Sequence, residues 1–206
     1  MRLATAHLAA ADAKLGALIK RVGKLKREKP VYPEPYHALL SAVAHQQLHA
    51  RAAEAILRRL NAYTGDTLPA PDVLLAHSDE LLRGCGLSAS KAAAMRDIAE
   101  KAQAGVVPSR ARAVRLSDEA LIERLTTIRG VGRWTVEMLL IFTLRRPDVF
   151  PVDDFGVREG YRLLHGLEAQ PKPKAFAILG EAYAPYRSTA ALYLWRAADL
   201  AKEKKK

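Results

Sequence analysis

Two adjacent carboxylates, Asp153 and Asp154, follow a hydrophobic run and the turn Pro147-Asp148. Twenty residues before Asp154 stands Trp134, directly after the triplet Gly130-Val131-Gly132 and Arg133. Each of these types can do chemistry. Two helices joined by so tight a turn can aim backbone N–H groups outward at the start of the second helix, which makes an anion site where a phosphate fits. The flat faces of Trp134 and of Trp195 can stack on a ring or hold a cationic one. The same residues also have plainer uses: Gly-x-Gly joins helices, aspartates cap them, and tryptophans pack cores.

Other candidates are weaker. His45 and His49 stand at i and i+4, a metal spacing on a continuous helix, but the sequence offers no further obvious ligand. Cys85, the single cysteine, lies in Gly84-Cys85-Gly86, which reads as a helix end with a small buried thiol. One cysteine excludes an intramolecular disulfide framework and a four-cysteine iron–sulfur cluster, and it suits a reducing compartment.

Helices must position these residues. Ser117-Asp118-Glu119 is a helix start with acids in the first turn, and Leu121, Ile122, Leu125 and Ile128 follow at helical spacing. Gly130 and Gly132 read as supplying backbone freedom. A second helix is expected from Trp134 to just before Pro147. Upstream, residues 4–21 are alanine-rich, with Leu8, Leu15 and Leu18, and predict one helix. Lys24 to Pro35 is a proline-punctuated basic loop, and Pro35 suits a first helical position. Tyr36, Leu39, Leu40 and Val43 share a helix face that ends near residues 44–48. Ala50 to Tyr63 turns Ala53, Ile56, Leu57 and Leu60 inward and Arg51, Arg58 and Arg59 outward. Short helices are expected around 73–76 and 79–84, and a longer one from residues 87–91 to about 104. An arginine-rich loop (Arg110, Arg112, Arg115) leads to the hairpin. Helices at about 157–164, 174–183 and 188–200 close the chain. No strand alternation and no longer repeat is present, so the class is all-α.

At 206 residues the chain has ample length for a core. No apolar run approaches a membrane span, and the N-terminus lacks the pattern of a signal peptide. The net charge is +11. The tail Lys202 to Lys206, four lysines and a glutamate, supplies +3 of it and leaves +8 elsewhere. Distributed basicity favours a polyanionic partner, nucleic acid before membrane, although a soluble basic protein without such a partner carries the same signature. The tail itself reads as a solvated end.

Taken together, Gly130 to Thr135 (GVGRWT) and Val149 to Asp154 (VFPVDD) resemble the helix-hairpin-helix DNA glycosylases, closest to the alkylpurine type called DNA-3-methyladenine glycosylase II. The resemblance covers roughly residues 36–198. It implies two helical subdomains flanking a DNA-binding cleft, one of about 1–35 plus 155–206 and one of about 36–154. It also implies a monofunctional enzyme of base excision repair, acting on 3-methyladenine and 7-methylguanine type bases in damaged double-stranded DNA, and nothing demands more than a monomer. Location would be cytoplasmic with the nucleoid in a bacterium and nuclear in a eukaryote.

The family pattern assigns roles residue by residue. Asp154 is the catalytic acid beside the sugar, while Asp153 is expected to cap the following helix. Relatives that also cut the strand place a lysine after the hairpin to form a Schiff base. Trp134 occupies that slot here, so the implied enzyme uses water, and Arg133 cannot substitute because guanidinium stays protonated. Trp134, Trp195, Met138 and Tyr36 are the expected base pocket. Met138 stands where this branch has an aromatic residue, which softens one wall. Gly130, Val131, Gly132, Arg133 and Thr135 would hold DNA at the hairpin. Gln46, Gln47 and Leu48 match the segment that refills the duplex gap, with His49 in place of the usual serine. No cofactor is required; the family hairpin often holds a monovalent cation on main-chain carbonyls, by position those of Thr126, Ile128 and Val131. Two alternatives stay open: a glycosylase for oxidised or mismatched bases, and a non-catalytic helix-hairpin-helix DNA-binding protein, to which an acid facing DNA would be a hindrance.

Overall fold

The computed structural model describes residues 2–26, 28–63, 65 and 67–203, and among these no strand occurs. The helices in the amino-terminal half are α1 (Arg2–Ala11), α2 (Ala13–Val22), α3 (Pro35–His45), α4 (Ala50–Ala62), α5 (Pro71–Ala76), α6 (Asp79–Gly84) and α7 (Ala89–Gln103). They are followed by α8 (Arg110–Ala113), α9 (Asp118–Leu125), α10 (Arg133–Met138), α11 (Phe155–His165), α12 (Pro173–Gly180) and α13 (Arg187–Glu203). None of the described helices is long and apolar enough to cross a membrane. Lys204 to Lys206, most of the basic tail, lie outside the described residues.

The chain divides into two units, Met1–Lys29 with Arg145–Lys206, and Pro30–Leu144. Both boundaries fall earlier than the expected 35/36 and 154/155, so Asp154 belongs to the first unit. The reason is packing. Phe150 sits in the first unit's core, 4.6 Å ring to ring from Phe176. The preceding residues are tied to α13, where Ser188 N donates to the Pro147 carbonyl at 3.1 Å and Ser188 Oγ accepts from Val149 N at 2.9 Å.

In the first unit, the expected helix over 4–21 is two helices, broken at Asp12. Its Oδ1 accepts from the amides of Lys14 (2.9 Å) and Leu15 (3.0 Å), capping α2. Its Oδ2 accepts from Tyr183 Oη at 2.6 Å and pairs with His165 Nε2 at 3.0 Å. Burial alone would raise this carboxyl, but the donors from Tyr183, the Leu15 amide and His165 outweigh it and hold it below the ordinary value. Leu8, Leu15, Leu18, Val157, Phe176, Tyr193 and Leu194 fill the core, each large apolar side chain contributing about 1.5–3 kcal/mol by leaving water. At Gly160 of α11 there is no room for a side chain: a Cβ would overlap the Leu194 carbonyl of α13.

In the second unit the apolar faces of α3 (Leu39, Leu40, Val43) and α4 (Ile56, Leu57, Leu60) are buried with Met95, Ile98, Leu121 and Leu125. Ser88 and Ser117 cap α7 and α9 through Oγ bonds to Lys91 N (3.3 Å) and Ala120 N (3.2 Å). Cys85 is fully buried, and burial pushes its thiol up. The arginine-rich stretch is not wholly loop: it holds α8, and Arg110 Nη1 donates to the carbonyls of Thr143 (2.7 Å) and Pro33 (3.1 Å). The helix after the hairpin also departs from expectation. It is α-helical only to Met138, then widens into a π-helical turn, Leu139–Thr143, with Leu144 N on the Leu139 carbonyl at 2.9 Å. Such widened turns are rare and concentrate at functional sites.

Candidate functional site

Asp154 is 8% exposed and is itself the cap of α11, a role expected of Asp153, which is exposed. The cap geometry explains the choice. A turn puts Asp154 N on the Pro151 carbonyl (3.0 Å), and from there Asp154 Oδ1 reaches Val157 N at 2.8 Å, the third residue of the helix. A second donor, Trp195 Nε1 of α13, meets the same oxygen at 2.8 Å. Two N–H groups on one oxygen fix the carboxylate's orientation. Trp195, expected as a pocket wall, is thereby a support of Asp154. The loop before Asp154 is referenced to the same helix: Arg187 of α13 grips Asp148 through Nε (2.8 Å), Nη2 (2.9 Å) and its own amide (3.2 Å). The Arg187 hydrogen bonds hold the Asp148 carboxyl below its ordinary value.

The second unit carries the hairpin. Gly130 has φ +75°, which favours glycine, and a Cβ there would also come within 3.1 Å of the Ala94 methyl. Gly132 is different: its φ is −90° and a Cβ would meet nothing within 4 Å. The expected need for backbone freedom holds at Gly130 only. Gly132 is the cap of α10 and has no side chain to accept from the helix's first amides. Val131 is buried, so only its backbone is on offer, and Thr135 is 4% exposed. Arg133 is engaged. Nη1 and Nη2 form a bidentate pair with Glu119 at 3.0 and 3.1 Å, and Nε lies 3.2 Å from the buried Glu137. Its contribution at the hairpin is therefore its amide more than its guanidinium.

A cavity of about 480 Å³ opens beside α10, lined by Ala42, His45, Gln46, Gln47, Trp134, Thr135 and Met138. It brings the hairpin tryptophan, the softer Met138 and the Gln46-Gln47 corner together; Trp134 is 46% exposed. Tyr36 is not among the lining residues. It is buried in α3 with its hydroxyl unbonded, and burial, then the charge of Asp72, pushes that hydroxyl up. His45 was not expected here. Its Nδ1 lies 2.8 Å from the Ser41 carbonyl. A metal pair with His49 is excluded on a continuous helix because α3 ends at His45 and His49 caps α4. Among the described residues no group of three or more His, Cys, Asp or Glu could hold a metal ion.

The corner after α3 is tightly held. Gln46 Nε2 donates to the Gly130 carbonyl at 2.9 Å, and Lys91 Nζ donates to the carbonyls of Ala44 (2.8 Å) and Gln46 (2.7 Å). Gln47 has φ +56° and is exposed, as is Leu48. The hairpin is anchored on its other side by Asp97 Oδ2, which accepts from Arg129 N at 2.6 Å. Lys91 and Asp97 escaped the sequence reading. Lys91 left one trace: a lysine in the first turn of a helix opposes the helix dipole, which calls for a compensating partner.

The model of the HhH-GPD superfamily of base excision DNA repair proteins matches residues 40–185. DNA-3-methyladenine glycosylase 1 of Schizosaccharomyces pombe is 44% identical, over 95% of this chain and 86% of that protein. An alkylbase DNA glycosidase-like protein of the same organism is 33% identical over 92% of this chain and 90% of its own length. Among solved structures, the S. pombe 3-methyladenine DNA glycosylase in complex with abasic DNA superposes with a TM-score of 0.86, covering 96% of this chain and 97% of that one. A DNA-3-methyladenine glycosidase from Bacillus halodurans gives 0.86 at 35% identity, covering 96% and 90%.

Proposed function

The chain belongs to the HhH-GPD superfamily of base excision DNA repair proteins, and from that membership and the setting of Asp154 we propose that it is a monofunctional DNA glycosylase that excises alkylated bases such as 3-methyladenine and 7-methylguanine. A base in a duplex is out of reach, so the nucleotide is turned out and the gap refilled by the Gln46-Gln47-Leu48 corner. The hairpin amides between Gly130 and Thr135, other than that of Val131, which is already on the Ile128 carbonyl, hold a backbone phosphate. Trp134 and Met138 receive the base, and an electron-poor or cationic alkylpurine gains most from the indole face, about 1–2 kcal/mol. The C1′–N bond then breaks and its electron pair leaves with the base. Positive charge builds on the sugar, where the Asp154 carboxylate opposes it and orients water. A water oxygen bonds to C1′, and its proton leaves, so the net result is an abasic site and a free base. Trp134 has no amine to attack the sugar, so no Schiff base forms and the strand is left uncut.

A monovalent cation on the carbonyls of Thr126, Ile128 and Val131 is part of this reading. The Ile128 carbonyl accepts one bond, from Val131 N at 3.1 Å, which leaves a second lone pair. Thr126 and Ile128 also line a groove of about 510 Å³ together with Asp97 and Glu100. Such a cation would add positive charge beneath the phosphate. The enzyme acts as a monomer, in the compartment that holds the DNA.

The observation that carries the proposal is the convergence of Val157 N–H and Trp195 Nε1–H on Asp154 Oδ1, which presents a fixed acid from a buried position. The test is base release from methylated duplex DNA, with the liberated bases identified, wild type beside Asp154→Asn. Release by the wild type alone supports it. Equal release by the variant would remove Asp154 from the mechanism, and no release by either would remove the substrate class.

A further inference from the structure

Lys91, Ala94 and Asp97 stand at i, i+3 and i+6 on one face of α7. Each meets a loop the function depends on. Lys91 Nζ holds the carbonyls of Ala44 and Gln46 at the end of α3, at 2.8 and 2.7 Å. The Ala94 methyl is the surface against which Gly130 lies, 3.1 Å from where a Cβ would be. Asp97 Oδ2 takes the Arg129 amide at 2.6 Å. The two loops are also joined directly by Gln46 Nε2 on the Gly130 carbonyl at 2.9 Å. Within this frame Gln47 is kept at φ +56°, a conformation a glutamine adopts only when its neighbours impose it.

We propose that α7 is a template that sets the spacing between the Gln46–Leu48 corner and the 129–132 hairpin, and that Lys91 and Asp97 are positioning residues for base extrusion. The proposal rests on the glycosylase reading. Extrusion needs a wedge and a phosphate anchor that act on the same nucleotide, and their separation must be rigid. A misplacement of about 1 Å can cost roughly a hundredfold in rate. The ammonium of Lys91 is unfavourable where it starts: it opposes the α7 dipole, and burial holds it below the ordinary lysine value. It is favourable where it ends, on the carbonyl terminus of α3. A cation so placed serves the connection between the two helices, not α7 itself.

The test uses Lys91→Met, Asp97→Ala and the double variant, each read by amide hydrogen exchange and by single-turnover base release from methylated duplex. If α7 is the template, Lys91→Met speeds exchange at 129–132 as well as at 46–48, and Asp97→Ala, which removes the acceptor of the Arg129 amide, speeds it at both loops too. Each single variant slows release about tenfold or more while half-saturating DNA concentration stays within about threefold. The double variant is no slower than the worse single, because the spacing is lost once. Lys91→Arg, which keeps a charged donor, restores most of the rate. Exchange that quickens only at the loop nearest each substitution, or rate losses that multiply in the double variant, would overturn the template. Should Lys91→Met unfold, Asp97→Ala still gives the cross-loop exchange at 46–48. Exchange needs no activity, so a wild type that releases no alkylated base refutes the functional reading without touching this result.

Discussion

Asp12 and Asp154 are built alike, and the proposed mechanism uses them differently. Each caps a helix by accepting backbone amides on Oδ1, and each takes a donor from an aromatic residue far along the chain, Tyr183 or Trp195. At Asp12 the donors occupy both oxygens, with His165 and Tyr183 on Oδ2 and two amides on Oδ1. Such a carboxylate is a fastener: it closes the break between α1 and α2 and ties it to the end of α11. At Asp154 the Val157 amide and the Trp195 indole both fall on Oδ1. Capping and catalysis look like rival readings of an aspartate in sequence. In the proposed mechanism the two are one: the cap holds the acid still.

The comparison can be broken at several points. Asp154→Asn should lower base release by about a thousandfold and barely change the melting temperature, since asparagine caps as well as aspartate. A variant that unfolds would make Asp154 another fastener. Asp12→Ala should do the reverse. It loses a cap and leaves Tyr183 and His165 without their acceptor, about 3 kcal/mol of stability by urea unfolding, with release below the melting range unchanged. A slow Asp12→Ala enzyme would give that residue a part in the chemistry. Trp195→Phe keeps the ring and removes the donor to Asp154, and release should fall about tenfold; an unchanged rate would mean that Val157 alone orients the acid. The smallest effect is in acid. Because Asp12 titrates below its ordinary 3.8, its contribution is complete above that value and is lost as pH falls through the lower folded value. Wild-type stability should therefore fall more steeply below pH 3.8 than that of Asp12→Asn, and parallel curves would place the acid sensitivity elsewhere.

What the sequence disclosed was local. Apolar spacing outlined α3, α4 and α9, and Pro35 and Ser117 marked helix starts by ring or side chain. The hairpin and Asp154 could be read because they lie in one continuous stretch. Asp12 was lost in an alanine-rich window without proline, since its strongest partner is 171 positions away. The π-helical turn after Met138 leaves no mark in composition. Lys91 and Asp97 escaped for the same reason as Asp12: their partners belong to other elements, and only the fold brings a mid-helix acid under a hairpin amide.

Gly160 touches no substrate, yet it governs what the chain can become. It sits where α11, which bears Asp154, crosses the backbone at Leu194, the neighbour of Trp195. Any other residue must first part the two helices and stretch the indole away from the acid. In evolutionary terms the position is a ratchet. A first substitution drives a Cβ into the Leu194 carbonyl at once, and relieving that overlap requires a change in α13 as well. Lineages of this protein are therefore expected to explore the walls of the cavity, Met138 and His45 among them, far more freely than this one crossing point.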